Sequence, residues 1–565
     1  MPHTGTTCPR ALDRERVWPP SARPVAWNLV SSEVISREVT RRRTFAIISH
    51  PDAGKSTMTE ALALHARMIS EAGAVHGKAG RKSTVSDWME MEKARGISVS
   101  STALQFNYSA AAQPDPEIPS VINLVDTPGH ADFSEDTYRV LTAVDAAVML
   151  IDAAKGLEPQ TLKLFQVCRH RGIPVITVIN KWDRPGQSPL ELIDEITERI
   201  GLTPTPLFFP VGIAGDFRGL LDRRTGEYVH FTRTAGGAKI APEEIMSADD
   251  AQAREGDEWT SALEESELLT EMGQDHDQEL FLAGQTSPMI FASAMLNFGV
   301  RQLLEVLVEL APPPGPRADV DGTDRPVTDP FSAVVFKVQA GMDSSHRDRL
   351  AYMRIVSGEF ERGMVVTHAQ TGKPFATKYA QAVFGRDRST VDTAYPGDVV
   401  GLVNATALAP GDTLYDGPKV QFPPIPSFAP EHFSTLRATT ADKYKQFRKG
   451  MDQLESEGVV QVLRNDTRGE ASPVLAAVGP MQFEVVTARM KAEYNVDTII
   501  EPLGYTLARR TDADSAAELN RQRGVEVFTR TDGAVLALFS DKWRLQYIEK
   551  EHPDLTLEPL VAAAD

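Results

Sequence analysis

The sequence predicts a multidomain protein of the α/β plus β class. It would contain a doubly wound, mostly parallel sheet, then an antiparallel β-barrel, then a C-terminal α+β domain. A chain of 565 residues is too long for a single hydrophobic core. In its first half, short apolar runs alternate with helix-length segments, which is typical of a parallel sheet covered by helices. Two proline-rich breaks, at 311–326 and 422–430, then separate segments of different pattern.

Five apolar runs in the first half are predicted to be buried strands of one domain that spans 39–312. They lie at 44–49, 121–125, 146–151, 174–179 and 288–293. Predicted helices at 133–144 and 159–171 connect some of them. Residues 1–38 are rich in Pro, Arg, Ser and Thr without clear periodicity. We predict that they are a disordered extension, or the result of a start codon assigned too early.

After the first break, β-type runs recur at short spacing with glycine turns between them. They lie at 331–339, 350–358, 364–370 and 398–403. This spacing predicts a small antiparallel β-barrel over 325–421.

The last segment, 428–565, is predicted to be an α+β domain. A strand at 474–479 is followed by a helical segment at 481–494. Its spacing places Phe483, Val486 and Met490 on one helix face, which we expect to be buried.

Composition limits the classes of function. No run of about 18 apolar residues occurs, so we predict no membrane span and no membrane partner. The two cysteines, Cys8 and Cys168, are too few for a disulfide framework and suit a reducing cytoplasm. The net charge is −19, but fourteen acids and one base lie within 241–280. We predict an acidic, helical surface insert at about 215–285, which leaves room for a basic face elsewhere.

The strand at 44–49 runs into SHPDAGKST, which fits the P-loop pattern G-x-x-x-x-G-K-[ST] except that a serine replaces the first glycine. Such a turn wraps backbone N–H groups around phosphates at a helix N-terminus. Lys55 would reach the β- and γ-phosphates, and Ser56 would bind Mg²⁺. Taken alone, the motif could be a chance strand–turn–helix. The predicted phosphate-binding residues are Ser49, His50, Pro51, Asp52, Ala53, Gly54, Lys55, Ser56 and Thr57.

A second buried strand ends in DTPGH (126–130), the D-x-x-G pattern. Asp126 would contact Mg²⁺ through a water, and the Gly129 N–H would meet the γ-phosphate. Thr127, Pro128 and His130 complete the predicted contacts. An ordinary turn after a strand is the alternative for this motif alone. Downstream of a P-loop, it indicates a nucleoside triphosphate site.

The third motif, Asn180-Lys181-Trp182-Asp183, selects the base. A carboxylate at its fourth position can accept hydrogen bonds from the N1–H and the amino group of guanine. Adenine would leave that buried carboxylate unpaired, at a cost of about 1–3 kcal/mol. The substrate is therefore predicted to be GTP rather than ATP. Asn180 would brace the base and the neighbouring loops, and the stem of Lys181 would cover the ring.

Two further segments complete the predicted site. Ser293 and Ala294 close the strand at 288–293, where a backbone N–H would meet guanine O6. The charged segment 86–101 lies between the P-loop and DTPGH and is expected to fold over Mg²⁺ and the γ-phosphate as a mobile loop. Within it, Ser98 is the candidate Mg²⁺ ligand.

The motifs together resemble the translational GTPases of the elongation factor G class. Four longer segments resemble the bacterial peptide chain release factor 3 family, and the resemblance extends over about 39–550. These segments are SDWMEMEKARGIS (86–98), FKVQAGMDSSHRDRLAYMRIVSGEFERGM (336–364), AYPGDVVGL (394–402) and VGPMQFEVVTARMKAEYNV (478–496). The sequence departs from the family pattern in Ser56, where Thr is commoner, and in Trp182, where smaller apolar residues are frequent.

The resemblance implies a ribosome-dependent, Mg²⁺-requiring GTPase of translation termination in the cytoplasm. Its partners would be the ribosome, through rRNA and ribosomal proteins, and the codon-reading release factors whose release and recycling it stimulates. His130 would orient the attacking water, with Lys55 and Asp52 assisting the transfer. A translocase or ribosome-protection GTPase is the alternative. The expected absence of two further C-terminal domains disfavours that alternative. A non-catalytic GTP-binding scaffold is another alternative, but it would lack one of the catalytic groups that this sequence retains.

A basic cluster is the candidate contact with ribosomal RNA. Residues 437–449 hold five cations and one acid, with two aromatic side chains between them. A solvated helix face is the alternative explanation. The cluster comprises Arg437, Asp442, Lys443, Tyr444, Lys445, Phe447, Arg448 and Lys449.

Overall fold

The computed structural model describes most of the chain in several stretches. These are 25–68, 75–76, 82–83, 102–111, 113–115, 117–128, 130, 132, 134–234, 239–340, 349–384, 387–425, 429–465, 468 and 472–560. Within these stretches, no helix is long and apolar enough to cross a lipid bilayer.

The first domain is built on twelve strands and nine helices among the described residues. The strands are β1 (Arg42–Ser49), β2 (Val75–His76), β3 (Lys82–Ser83), β4 (Thr102–Tyr108), β5 (Ser120–Asp126), β6 (Ala146–Asp152), β7 (Val175–Asn180), β8 (Thr203–Val211), β9 (Gly219–Asp222), β10 (Tyr228–Phe231), β11 (Glu243–Met246) and β12 (Thr286–Phe291). The helices are α1 (Val25–Thr40), α2 (Lys55–His65), α3 (Ser134–Leu141), α4 (Pro159–His170), α5 (Pro189–Ile200), α6 (Ala248–Glu255), α7 (Asp257–Glu271), α8 (Gln278–Leu282) and α9 (Val300–Leu310).

Ten of these strands form one sheet in the order β11-β10-β9-β8-β12-β7-β6-β1-β5-β4. The pairs from β5 through β1, β6, β7 and β12 to β8 are parallel. Every residue of β1, β5, β6 and β7 is buried, which explains why these strands are continuous apolar runs rather than alternating ones. The predicted doubly wound, mostly parallel sheet is confirmed.

The acidic insert differs from the predicted helical surface element. Its strands β9, β10 and β11 extend the central sheet antiparallel beyond β8, and helices α6, α7 and α8 follow. Buried Trp259 and Phe281 anchor these helices, while most of their acids are exposed. Despite its high local charge, this segment therefore extends the core of the first domain.

Helix α1 corrects the prediction that all of residues 1–38 are a disordered extension. It begins at Val25, and Ile35 and Val39, four residues apart on one face, are buried. Glu38 forms ion pairs with Arg41 and Arg42 at 2.9 and 2.5 Å. Residues 1–24 lie outside the described stretches.

The second domain is a curled antiparallel half-barrel, in agreement with the predicted barrel class. Its strands are β13 (Arg317–Ala318), β14 (Asp324–Arg325), β15 (Ser332–Ala340), β16 (Arg349–Ser357), β17 (Phe360–Glu361), β18 (Val365–His368), β19 (Lys373–Ala376), β20 (Ala380–Phe384), β21 (Asp387–Thr390), β22 (Thr393–Ala394), β23 (Val399–Val403) and β24 (Thr413–Tyr415). Eight of them form one sheet in the order β19-β18-β24-β15-β16-β23-β20-β21 around a separate apolar core. We call it the barrel domain.

The C-terminal domain is α+β, as predicted. Its strands are β25 (His432–Ala438), β26 (Gln461–Arg464), β27 (Val474–Ala477), β28 (Thr498–Pro502), β29 (Leu507–Thr511), β30 (Val525–Arg530), β31 (Val535–Phe539) and β32 (Glu558–Pro559). They form one sheet in the order β28-β25-β27-β26-β30-β31-β29-β32. Its helices are a 3₁₀ turn (Ala441–Lys443), α10 (Tyr444–Ser456), α11 (Met481–Tyr494), α12 (Ala513–Leu519) and α13 (Lys542–Glu551). Phe483, Val486 and Met490 of α11 are buried together, which confirms the predicted helix face.

Candidate nucleotide site

Four predicted segments follow neighbouring parallel strands of the first domain. Residues 49–57 begin at the end of β1, 126–130 at the end of β5, 180–183 at the end of β7, and 293–294 follow β12. Because parallel strands end on the same side of a sheet, these segments share one edge, where open α/β sheets commonly bind ligands. We call it the nucleotide edge.

The P-loop turns sharply into helix α2. Asp52 and Gly54 are left-handed, with φ of 66° and 97°. Gly54 is the N-cap of α2 and has no side chain to bond the first-turn N–H groups, so these can serve an anion. A Cβ at Gly54 would lie 2.4 Å from Asn180 Nδ2, so both backbone angle and space require glycine there.

Asn180 joins three of the four segments. Its Nδ2 donates to Ala53 O at 2.8 Å, and its Oδ1 accepts from the Ala294 N–H at 3.0 Å. The side chain is almost fully buried. A single amide therefore fixes the P-loop, the 180–183 segment and the 293–294 segment relative to one another.

Lys181 ties the 180–183 segment to the P-loop a second time. Its ammonium donates to Asp52 O at 2.5 Å and to Asp152 Oδ2 at 2.8 Å. Burial raises the pKa of Asp152, but Lys181 and the Ala154 N–H together outweigh it and hold that pKa below its ordinary value. Asp152 was missed by the sequence analysis, although its position as the last residue of β6 is a usable signal.

Asp183 is held in a fixed orientation. Its Oδ1 accepts from the Ser293 hydroxyl at 2.6 Å, and its side chain is only 13% exposed. The Ala294 N–H donates to Asn180, and the Ser293 N–H donates to Phe298 O at 3.0 Å. For the backbone N–H of Ser293 or Ala294 to donate to guanine O6, as predicted, its present hydrogen bond would have to be shared or replaced.

Trp182 points into the protein core rather than toward the nucleotide edge. Its ring is fully buried, packs edge-on against Phe291 at 4.8 Å, and donates to Gly212 O at 3.3 Å. Any contact of Trp182 with a ligand would therefore come from its backbone. The large side chain at this position fastens the 180–183 segment to β12 and to the residue that follows β8.

The DTPGH segment is fastened to β1. Asp126 pairs in register with Ile47, and the Thr127 hydroxyl donates to Ile47 O at 2.6 Å. His130 is 32% exposed, and its Nδ1 lies 3.2 Å from Asp132 Oδ1. Gly129 and Ser98 lie outside the described residues.

His50 of the P-loop is buried, and its Nδ1 lies close to the Glu158 carboxylate. Burial lowers the pKa of His50, and the Glu158 carboxylate offsets only part of that effect. Glu158, which immediately precedes α4, is a second residue that the sequence analysis missed.

The donor set at the nucleotide edge fits Mg²⁺. Asp126 supplies a buried carboxylate at the end of β5, and Ser56 supplies a hydroxyl in the first turn of α2. Among the described residues, no group of three or more His, Cys, Asp or Glu side chains could form an all-protein metal cage. Mg²⁺ commonly uses one or two protein oxygens together with substrate phosphates and water.

The basic cluster is smaller than predicted. Arg437 faces Glu501 at 3.3 Å, Lys443 donates to Asn495 O at 2.5 Å, and Phe447 is a core residue. A cavity of about 500 Å³ between the barrel domain and α10 retains the cationic character. It is lined by Arg349, Tyr444, Lys445, Arg448, Lys449, Asp452, Gln453 and Ser456.

Three family models match successive parts of the chain. Residues 40–313 match the model described as "Elongation factor Tu GTP binding domain". Residues 330–417 match "Elongation factor G domain 2". Residues 422–549 match "Class II release factor RF3, C-terminal domain".

Full-length relatives and one solved structure agree with these matches. Peptide chain release factor 3 of Microcystis aeruginosa is 45% identical, over 94% of this chain and 96% of its own length. Peptide chain release factor 3 of Gloeobacter violaceus is 46% identical, over 93% of this chain and 98% of its own length. A crystal structure of a Thermus thermophilus protein has the same fold, with a TM-score of 0.64 at 22% identity, over 83% of this chain and 68% of that one. The chain thus belongs to the peptide chain release factor 3 family and is a GTPase of translation termination.

Proposed function

We propose that the nucleotide edge is where this GTPase binds and hydrolyses GTP, and that the ribosome stimulates the reaction. The observation that carries the proposal is the Asn180 amide. It bonds to both the P-loop and the 293–294 segment, so the phosphate-binding and base-binding parts form one rigid cradle. Positioning of this kind is most of what phosphoryl transfer requires of a protein.

Guanine recognition would rest on Asp183. The Ser293 hydroxyl bonds one carboxylate oxygen, Oδ1, which limits rotation of the group. A carboxylate held in this way can accept from the guanine N1–H and amino group, and adenine cannot supply that pair. The Lys181 ammonium is bonded to Asp52 O and Asp152, so its stem is fixed beside the P-loop.

Phosphate binding would use the P-loop N–H groups and Lys55, whose side chain is buried at the start of α2. Ser56, Ser98 and, through a water, Asp126 would hold Mg²⁺. When bound, the ion would neutralise charge on the phosphates. Asp52 would help to position the transferred group from its left-handed turn.

His130 would orient the attacking water. It is the imidazole of the DTPGH segment, which begins at the end of β5, beside the strand that leads into the P-loop. The partly exposed side chain needs further ordering to act, so the isolated protein should turn over slowly. Activating partners of other GTPases raise turnover by about 10³–10⁵-fold.

The proposed partners are the ribosome and the codon-reading release factors, and the proposed location is the cytoplasm. The relatives' name, peptide chain release factor 3, supports the link to termination. The cations around the cavity between the barrel domain and α10 are the proposed contact with RNA phosphates.

The test compares His130→Ala with wild type in GTP turnover, with and without ribosomes stalled at a stop codon with a bound release factor. We expect GTP and GDP affinities within about threefold of wild type and weak ATP binding. We expect ribosome-stimulated turnover to fall by at least ~100-fold. His170→Ala, an exposed histidine at the end of α4, is the matched control. Undiminished turnover of His130→Ala would exclude the proposed role of His130.

A further inference from the structure

We propose that Asp132 is the positioning residue for His130, and that docking of the C-terminal domain keeps Asp132 in place. The inference rests on the proposed role of His130 and extends it. Asp132 lies outside the predicted nucleotide contacts. If it positions His130, the orientation of that imidazole in the first domain depends on a helix of the C-terminal domain.

The Asp132 carboxylate divides its two oxygens between two domains. Oδ1 lies 3.2 Å from His130 Nδ1. Oδ2 accepts from the Met481 N–H at 2.6 Å, and Met481 is the first residue of α11. The Asp132 side chain is only 12% exposed, so water competes little for it. A carboxylate at a helix N-terminus also interacts favourably with the helix dipole. Asp132 is therefore anchored by the C-terminal domain while it contacts His130.

The contact decides which nitrogen of the imidazole carries the proton. A carboxylate oxygen beside Nδ1 favours a proton on Nδ1, which leaves Nε2 of the neutral ring able to accept a hydrogen bond from water. The Asp132 backbone N–H, 3.3 Å from the same Nδ1, would favour the opposite tautomer. A hydrogen bond to a charged carboxylate is about twice as strong as one between neutral groups, so the carboxylate outweighs the backbone N–H. The Asp132 side chain therefore favours the form that can orient a water through Nε2. Outer carboxylates fix the tautomer and orientation of metal-bound imidazoles in the same way.

The fit between Asp132 and the C-terminal domain is close. A Cβ at Gly479 would lie 2.1 Å from Asp132 Cγ, so any larger residue at 479 must displace the carboxylate. Gly479 does not have a positive φ, so alanine there carries no backbone penalty of the left-handed kind. Gly479→Ala should therefore displace the Asp132 carboxylate without any substitution in the first domain.

Helix α3 braces the same junction. Arg139 donates to Gly458 O at 3.3 Å and to Glu457 O at 3.5 Å. The Glu457 carboxylate is buried and pairs with Arg489 at 2.7 Å. These contacts hold α11 against the segment that carries His130. Displacing the C-terminal domain would remove the Met481 N–H from Asp132 and release the constraint on the imidazole.

The experiment measures ribosome-stimulated GTP turnover for Asp132→Asn, Gly479→Ala and His130→Ala, and for the double variant Asp132→Asn/His130→Ala. The maximal rate and the ribosome concentration at half-maximal rate are determined separately. Gly504→Ala is the matched control, because a Cβ at Gly504 meets nothing within 4 Å and Gly504 also lacks a positive φ. Nucleotide affinity and thermal melting are recorded for every variant.

We expect Asp132→Asn to lower the maximal rate by about 10–100-fold with nucleotide affinity unchanged. Gly479→Ala should lower it in the same direction, and Gly504→Ala should equal wild type. The double variant should be no slower than His130→Ala alone, because Asp132 acts through His130.

Three results would overturn the inference. Asp132→Asn and Gly479→Ala could both keep the wild-type maximal rate while His130→Ala loses it, in which case the proposed function stands and the positioning role fails. The two losses could multiply in the double variant, which would place Asp132 in a different role. If His130→Ala itself keeps full activity, the proposed function fails first, and this inference fails with it.

Discussion

The first domain meets its two neighbours at opposite ends of its central strands. Contacts with the barrel domain include Arg42, the first residue of β1, whereas the P-loop begins at Ser49, the last residue of the same strand. The two are the first and last residues of an eight-residue strand and are therefore roughly 20 Å apart. Contacts with the C-terminal domain instead come from Asp132 and Arg139, immediately after DTPGH. We call these the barrel junction and the C-terminal junction.

The barrel junction is a buried polar network. Arg42 pairs with Asp398 at 2.9 Å, and both side chains are under 10% exposed. The same Asp398 oxygen accepts from Gln105 at 2.8 Å. A second pair joins Arg354 to Asp145, with both carboxylate oxygens at 2.7 Å. A buried pair is costly to break, because it leaves one charge without its partner.

The C-terminal junction is built from the segment that carries His130. Asp132 bonds α11, and Arg139 bonds the turn after α10. The barrel domain also reaches this helix, although more loosely, through Lys337 and Asp136 at 3.5 Å. The two junctions should therefore have different roles. The barrel junction should govern how stably the first domain and the barrel domain are joined. The C-terminal junction should govern the orientation of the segment that carries His130.

Breaking the barrel junction should give the largest loss of stability. Asp398→Ala would remove one of the two carboxylates that pair with the buried Arg42 guanidinium and one acceptor of Gln105. Because Glu38 still pairs with Arg42, the loss should be about 3 kcal/mol, at the lower end of the range for breaking a buried pair. Calorimetry should show a lower melting temperature, while the protein that remains folded binds GTP with wild-type affinity. Asp392→Ala is the control. It breaks an exposed pair with Arg362 in the same domain and should cost under about 1 kcal/mol. Equal melting temperatures for Asp398→Ala and Asp392→Ala would contradict the distinction between the buried pair and the exposed pair.

Opening the C-terminal junction should cost less stability but change the region around His130. Arg139→Ala removes donors to Glu457 O and Gly458 O and the partner of Glu135 at 2.6 Å, a loss of about 1–3 kcal/mol in docking. Hydrogen exchange should accelerate at 457–458 and at the start of α11, while β15 and β16 keep wild-type protection. Arg521→Ala, an exposed arginine of the C-terminal domain, should change neither region. Unaltered exchange at α11 in Arg139→Ala would show that the junction does not depend on this side chain.

Sequence patterns identified the fold class because its determinants are local. Continuous apolar runs predicted strands that prove buried on both faces, and the spacing in 481–494 predicted the buried face of α11. The insert strands were missed because they are short, and β11 is two glutamates followed by Ile-Met. Strand β8 was missed because three prolines interrupt its pattern. In both places the apolar periodicity is too weak to predict a strand against the opposing signals, which are charge in β11 and proline in β8.

The candidate site was predictable only as far as its motifs extend. The motifs gave the residues of the nucleotide edge, but the Asn180 bond to Ala53 spans 127 positions and depends on how the sheet is ordered. The partner of Asp132 is 349 positions away, in another domain. No local pattern encodes such a pair. Asp132 itself looks like an ordinary polar residue after a turn, and only domain docking gives it a partner.

The smallest expected effect concerns Glu38, which extends the barrel junction into α1. Burial is the largest single influence and raises its pKa, but Arg42 and Arg41 together hold that pKa below its ordinary value. A depressed folded-state pKa means that the pairing stabilises the protein above the unfolded value of about 4.3 and is lost as pH falls through the folded one. Glu38→Gln should cost about 1 kcal/mol at neutral pH. Its melting temperature should begin to converge with that of wild type below the unfolded pKa of about 4.3 and should meet it once pH has fallen through the folded one. Glu33→Gln, an exposed glutamate of the same helix, should follow wild type throughout. A gap between Glu38→Gln and wild type that stays constant down to pH 3 would show that α1 is held by its apolar face alone.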